Sequence, residues 1–197
     1  MSHESRPEDR APIERDNVAL WARRFRVPLG ILLAAAFLWK ARPSYTALAV
    51  GAAVSFAGLL IRGWSAGHIV KNDKLATSGP YAYTRNPLYF GSFLLAFGVA
   101  AASDWAFGLA VIGFWYIVYA PVIADERKSI RSLFPESYPE WERNVPAFIP
   151  RLTPWRAPNA ETTSFDFVRY MGHREWQAAV GFAAIVIWLA FRASQQF

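Results

Sequence analysis

The chain contains no cysteine. That excludes disulfides, thiol catalysis, cysteine-ligated metal and S-palmitoylation. Histidine is nearly as scarce. His3, His68 and His173 stand far apart and form no close-spaced ligand pair, so no metal site is expected. Charge is sparse too: 18% of the 197 residues are charged, against about a quarter in globular domains. No internal repeat is visible. What the chain has instead is apolar bulk, with 54% hydrophobic residues and nine tryptophans. These residues gather into blocks approaching the roughly 20 that cross a bilayer as a helix. The expectation is an all-α, polytopic transmembrane helical bundle with about five spans.

The net charge of +6 raises the question of nucleic acid, but its placement argues for membrane topology and anionic lipid instead. Residues 1–24 read as a charged, disordered tail, and residues 25–197 as a single membrane domain. The first apolar run, Val27 to Trp39, could suggest a secretory signal, but the five acids ahead of it argue against one. It reads as a first span starting near Phe25. A second span runs from about Tyr45 to Arg62, with Gly51, Ser55 and Gly58 on one face, where small residues let helices approach closely. A third runs from Pro87 to about Ala102, a minimal turn at Ser103–Asp104 leads to a fourth from Trp105, and the last covers about Trp176 to Phe191. With a cytoplasmic N-terminus, all but Lys40, Arg42 and Arg192 of the 21 basic residues fall inside. This predicts a multi-pass protein of a bacterial inner membrane.

That topology brings two polar stretches to the cytoplasmic face. In "GPYAYTRNPLYFG" (79–91), Asn86 reads as an N-cap and Pro87 as the first helical residue. The helix N-terminus and Arg85 then suit an anion, while Tyr81, Tyr83 and Tyr89 offer ring faces to a base or cation. The same residues suit an interfacial anchor, and on their own the two readings balance. In "ADERKSIRSLF" (124–134), Tyr119, Ile123, Glu126, Ile130 and Leu133 share a stripe at helical spacing. A carboxylate at a membrane boundary has a partner or a task, the partner being a nearby arginine, Arg85 for example. Asp125 and Arg127 fall on the flanks. Ser137 to Glu140 reads as a capping box opening a short helix, about 138–144, whose Tyr138 and Trp141 rest on headgroups or close over the site.

Together, "GPYAYTRNPLYFG" and "DERKSIRSLFPESYPEWERNVPAFIP" resemble the isoprenylcysteine carboxyl methyltransferase family, whose relatives include the phospholipid N-methyltransferases. The resemblance spans about residues 79–150 and implies a cytoplasmic cofactor-binding segment for S-adenosylmethionine. Gly79, Tyr81, Arg85, Pro87, Tyr89, Glu126 and Tyr138 match the family pattern. Asn86 stands where the family has His, and Asp125 where it has the first Glu. Pro135 replaces a usual Gly, and Trp141 or Glu142 lies near the position of a second Tyr. A proton-transfer role for a histidine at position 86 is therefore lost.

The resemblance implies that Gly79, Tyr81, Tyr83, Arg85, Asn86, Pro87, Tyr89, Asp125, Glu126 and Tyr138 hold the cofactor. Arg85 and Glu126 are the residues assigned to the chemistry, Arg85 for the methionine carboxylate and Glu126 for the sulfonium. The acceptor is then a lipophilic small molecule or lipidated substrate drawn from the membrane lipids, not nucleic acid. Two other readings compete. One is an NADPH-dependent membrane sterol or steroid reductase, which shares an Arg-His-Pro-x-Tyr-type stretch. The other is an inactive membrane scaffold, for which Asn86 is the best support. Oligomeric state leaves no signal in the sequence.

Overall fold

The computed structural model describes residues 16–69, 75–156 and 163–196. The tail up to residue 15, and Lys71 and Lys74 of the polar loop, lie outside them. Among the described residues there are seven helices and no strand: α1 (Asn17–Lys40), α2 (Tyr45–His68), α3 (Pro87–Ala101), α4 (Trp105–Leu133), α5 (Tyr138–Asn144), α6 (Phe167–Gly172) and α7 (Trp176–Ser194). The first helix thus begins at Asn17, well before Phe25, because Asp16 caps it by accepting from the Val18 N–H at 3.1 Å. The second runs past Arg62 to His68, since nothing in "GWSAGH" stops it.

Helices α2, α4 and α7 are long and apolar enough to cross a membrane. α3 is apolar but has 15 residues, about 22 Å of helix against a hydrocarbon core of roughly 30 Å. In α1, Arg23, Arg24 and Arg26 leave Val27–Trp39 as the uncharged stretch. By length and composition, three of the five expected spans qualify and α1 and α3 fall short of that measure. The five long helices nevertheless alternate between two ends of the bundle. At one end the Arg42 N–H donates to Ser103 Oγ at 2.8 Å and Arg192 donates to the Ala41 carbonyl at 3.0 Å. This gathers the turn after α1, the turn before α4 and the tail of α7, where Phe37, Ala41, Leu48, Ala102 and Leu189 form a core. At the other end Arg62 of α2 pairs with Glu175, ahead of α7, and Arg23 of α1 pairs with Asp125 of α4. Leu32, Val50, Ile117 and Ile187 stay exposed on the outside, as hydrocarbon surroundings allow.

The small-residue face of α2 packs on a matching face of α3. A Cβ at Gly51 would lie 2.3 Å from the Gly98 carbonyl oxygen, and one at Gly58 2.5 Å from that of Gly91. Between them Ser55 Oγ donates to the Leu95 carbonyl at 2.9 Å. Backbone touches backbone here, the contact small residues exist to permit in lipid. α4 is interrupted by a π turn at Trp115–Tyr119, in which the Ala120 N–H reaches the Trp115 carbonyl five residues back. Pro121 explains it: proline has no N–H to offer and its ring collides with the carbonyl four residues before, so the turn widens.

Candidate functional site

The second end of the bundle is built by the two stretches singled out in sequence. Gly79 sits at φ +59° against the His68 ring, where a Cβ would lie 2.4 Å from it, so only glycine fits. Tyr81 is buried with Tyr138, Trp141 and Val145, and Trp141 Nε1 donates to its carbonyl at 3.1 Å. Burial, and secondly the charge of Glu175, push the Tyr81 hydroxyl above its ordinary pKa, so it stays neutral. Residues 82–86 then run hydrogen-bonded along 146–155. Arg85 N–H donates to Pro146, Arg151 N–H to Tyr83 and Trp155 N–H to Ala82. Thr84 Oγ1 donates to Phe148 at 2.9 Å and Asn86 Nδ2 to Ala147 at 2.7 Å.

Two capping expectations are corrected. Asn86 occupies the cap position of α3 but its side chain does not cap, being committed to Ala147. Ser137 likewise makes no cap, because it sits at helical φ and ψ rather than in the extended conformation a capping box needs. α5 does span Tyr138–Asn144, yet Tyr138 and Trp141 are each 2% exposed and pack inward rather than on headgroups.

Arg85 donates through one terminal nitrogen to Tyr138 Oη at 3.0 Å and to Glu142 Oε1 at 2.5 Å. Glu142 also meets Arg127 Nε at 2.5 Å and Arg131 at 3.7 Å. Burial alone would raise the Glu142 carboxyl, but hydrogen bonds and charge from Arg127 and Arg85 outweigh it and hold the pKa below its ordinary value. One carboxylate thus faces three guanidinium groups, and Arg85 Nε is buried with no acceptor. Beside this cluster opens a cavity of about 420 Å³. Arg85, Asn86, Arg127 and Tyr138 line its polar part. Phe93, Ile112, Trp115, Tyr116, Ile123 and Phe148 line the rest.

Of the ten site residues named from the sequence, Arg85, Asn86 and Tyr138 line this cavity. Tyr81 and Pro87 are buried and Gly79 and Tyr83 half-buried, outside its lining. Tyr89, Asp125 and Glu126 belong to a separate network: Tyr89 Oη donates to Glu126 Oε1 at 2.9 Å, and Arg23 approaches Asp125 to 3.0 Å and Glu126 to 3.9 Å. The ion pair of Glu126 with Arg85, offered as one possible partner, is not formed, because each has a nearer partner. Asp125, not Glu126, is the buried acid, since α1 and its Arg23 decide which side of α4 is covered. Sequence reasoning noted Glu142 only as standing near a family Tyr position, not as a site residue, and missed Phe93, Trp115 and Arg23. Glu142 lies one turn after Tyr138, a spacing that could have found it, whereas nothing local marked Arg23.

Fold and site define a helical integral membrane protein with a small-molecule-sized cavity at one end of its bundle. Residues 45–137 match the phospholipid methyltransferase family. The chain is 31% identical over 115 residues to the protein-S-isoprenylcysteine O-methyltransferase of Schizosaccharomyces pombe, covering 53% of the chain and 47% of that protein. It is also similar to the cobalt-zinc-cadmium resistance protein CzcN of Cupriavidus metallidurans, at 35% identity over 108 residues, 54% of the chain and 50% of the relative. The nickel-cobalt-cadmium resistance protein NccN of Alcaligenes xylosoxydans xylosoxydans is 33% identical over 88 residues, 44% of the chain and 41% of the relative. The chain spans about half the length of these curated relatives. No solved structure matches it. Over residues 45–137 the chain is thus similar to the phospholipid methyltransferase family, and these likenesses favour the first of the three readings above.

Proposed function

We propose that this protein transfers a methyl group from S-adenosylmethionine to a lipophilic acceptor held in the membrane. The observation that carries the reading is the division of one cavity, of the size small-molecule sites have, into a cationic end and an aromatic end. The residues fit the cofactor. Arg85, with its buried and unpartnered Nε, and Arg127 suit a carboxylate. Trp115, Phe93 and Phe148 offer ring faces to a cationic centre kept away from the arginines. Bound there, the cofactor would supply an electrophilic methyl carbon to the acceptor's lone pair, with its sulfur as the leaving group.

The chain's own part is orientation and exclusion of water, since methyl transfer needs little acid–base help. Tyr138 and Glu142 hold the Arg85 fork in place, and Asn86 ties the start of α3 to Ala147. Gly79, Tyr81, Tyr83 and Pro87 shape the segment that presents them. Asp125 and Glu126 fasten α4 to Arg23 of α1, and Tyr89 fastens α3 to Glu126, a supporting role behind the aromatic wall rather than contact with the cofactor. The cavity faces the cytoplasm of a bacterial cell, as the basic residues suggest, and the acceptor enters sideways from the bilayer past Ile112 and Tyr116, which are exposed. The O-methyltransferase relative acts on an isoprenylcysteine by name, which agrees with an apolar acceptor.

A chain-length series of candidate acceptors, assayed in nanodiscs with radiolabelled cofactor, tests this. Each CH₂ removed should cost about 0.8 kcal/mol of acceptor binding. Equal turnover of a tail-less, water-soluble acceptor would contradict lateral entry.

A further inference from the structure

A second cavity, about 450 Å³, lies among α1, α3 and α4. Leu33, Phe37, Val99 and Phe107 line its apolar length, and Arg62 and Ser92 mark its polar end. That polar end is already committed: Arg62 Nε and one terminal nitrogen donate to Glu175 at 3.0 and 2.9 Å, and its other terminal nitrogen donates to Ser92 Oγ. Trp115 is the one described residue common to the walls of both cavities. It is 9% exposed, stacks on Tyr119 at 4.1 Å and meets the edge of Phe93 at 5.6 Å. Its indole N–H is buried and has no hydrogen-bond partner. Buried indoles normally find an acceptor, and this one stands at the start of the π turn, an irregularity that recurs at functional sites.

We propose that Trp115 is a positioning residue for a single-chain amphiphile. The second cavity takes the apolar chain, and the indole N–H holds an oxygen of the head against the wall shared with the cofactor cavity. An indole N–H only donates, so the head must offer a lone pair, as a carboxylate, carbonyl or phenolate oxygen does and a quaternary ammonium does not. That this amphiphile is the methyl acceptor rests on the methyltransferase reading; that it binds at Trp115 does not.

The test is indole N–H NMR of the ¹⁵N-tryptophan-labelled protein in nanodiscs, with Trp115→Phe assigning the resonance. Dodecanoate should move the Trp115 proton saturably downfield, while dodecyltrimethylammonium, with the same chain, should leave it in place. Trp115→Phe should weaken dodecanoate binding roughly tenfold, and Ala96→Phe, which fills the second cavity, should abolish it with the melting temperature and S-adenosylmethionine affinity retained. Equal shifts with both probes, or saturable dodecanoate binding that leaves Trp115 unmoved, would overturn the assignment. Calorimetry with S-adenosylmethionine on the same samples separates the two readings. Absent cofactor binding with the Trp115 shift intact fails the methyltransferase reading alone.

Discussion

Glu142 sits among three guanidinium groups, and that arrangement decides what each can do. A carboxylate bound by Arg85 and Arg127 at 2.5 Å cannot be removed cheaply, because both cations would lose their partner in a partly dry site. Its pKa is lowered on folding. The stabilisation it gives is therefore fully present above the ordinary carboxylate value and is lost as pH falls through the depressed one. Melting temperature in detergent should hold steady from neutral pH down to the usual carboxylate range and then fall, and the Glu142→Gln variant should lack that dependence. A variant with the same acid profile as the parent would show that the cluster does not contribute. Arg85 itself was legible from sequence, as a guanidinium beside a helix start. Its partner was not, because the ion pair with Glu142 spans 57 positions and only the fold of 145–155 along 82–86 brings the two together.

At the scale of helices, the α2–α3 pair is the tightest joint of the bundle. The face of Gly51, Ser55 and Gly58 could be read from spacing alone; its counterpart, Gly91 and Gly98, became visible only in the packing. A Cβ at Gly98 would lie 2.4 Å from both the Gly51 carbonyl oxygen and Ser55 Oγ, so Gly98→Val should cost about 1–3 kcal/mol through overpacking. Gly181→Ala in α7 meets nothing within 4 Å and should be neutral or stabilising by up to about 1 kcal/mol, since alanine is the better helix former. Denaturation of both variants checks the contrast, and equal losses would mean the α2–α3 contact is looser than described. Other elements resisted reading for definite reasons. The buried side of α4 was misjudged because a periodic stripe says which faces are apolar, not which one a charged neighbour such as Arg23 will cover. The caps at Asn86 and Ser137 failed because tertiary partners and backbone angles outrank a local motif.

For the molecule as a whole, alternation of the long helices puts the few basic residues at Lys40, Arg42 and Arg192 at one end and the arginine-rich cavity at the other. Single cysteines introduced into this cysteine-free chain at Ser44 and Ser103 should be labelled only from outside the cell, and one at Glu136 only from within. Labelling of Ser44→Cys from the cytoplasm would invert the topology. The likeness to the methyltransferase family, the helical class and the two stretches that border the cavity were all readable in the sequence, because they rest on local motifs and long apolar blocks. The division of the ten candidate residues between a cavity and a network behind it was not, because it depends on where α1 packs. That division is the central claim, and calorimetry of S-adenosylmethionine with the protein in nanodiscs tests it most directly. Arg85→Ala should lose about 2–5 kcal/mol of binding, while Glu126→Gln should bind as the parent does. Unchanged affinity in Arg85→Ala, or a loss in Glu126→Gln equal to that in Arg85→Ala, would contradict the account.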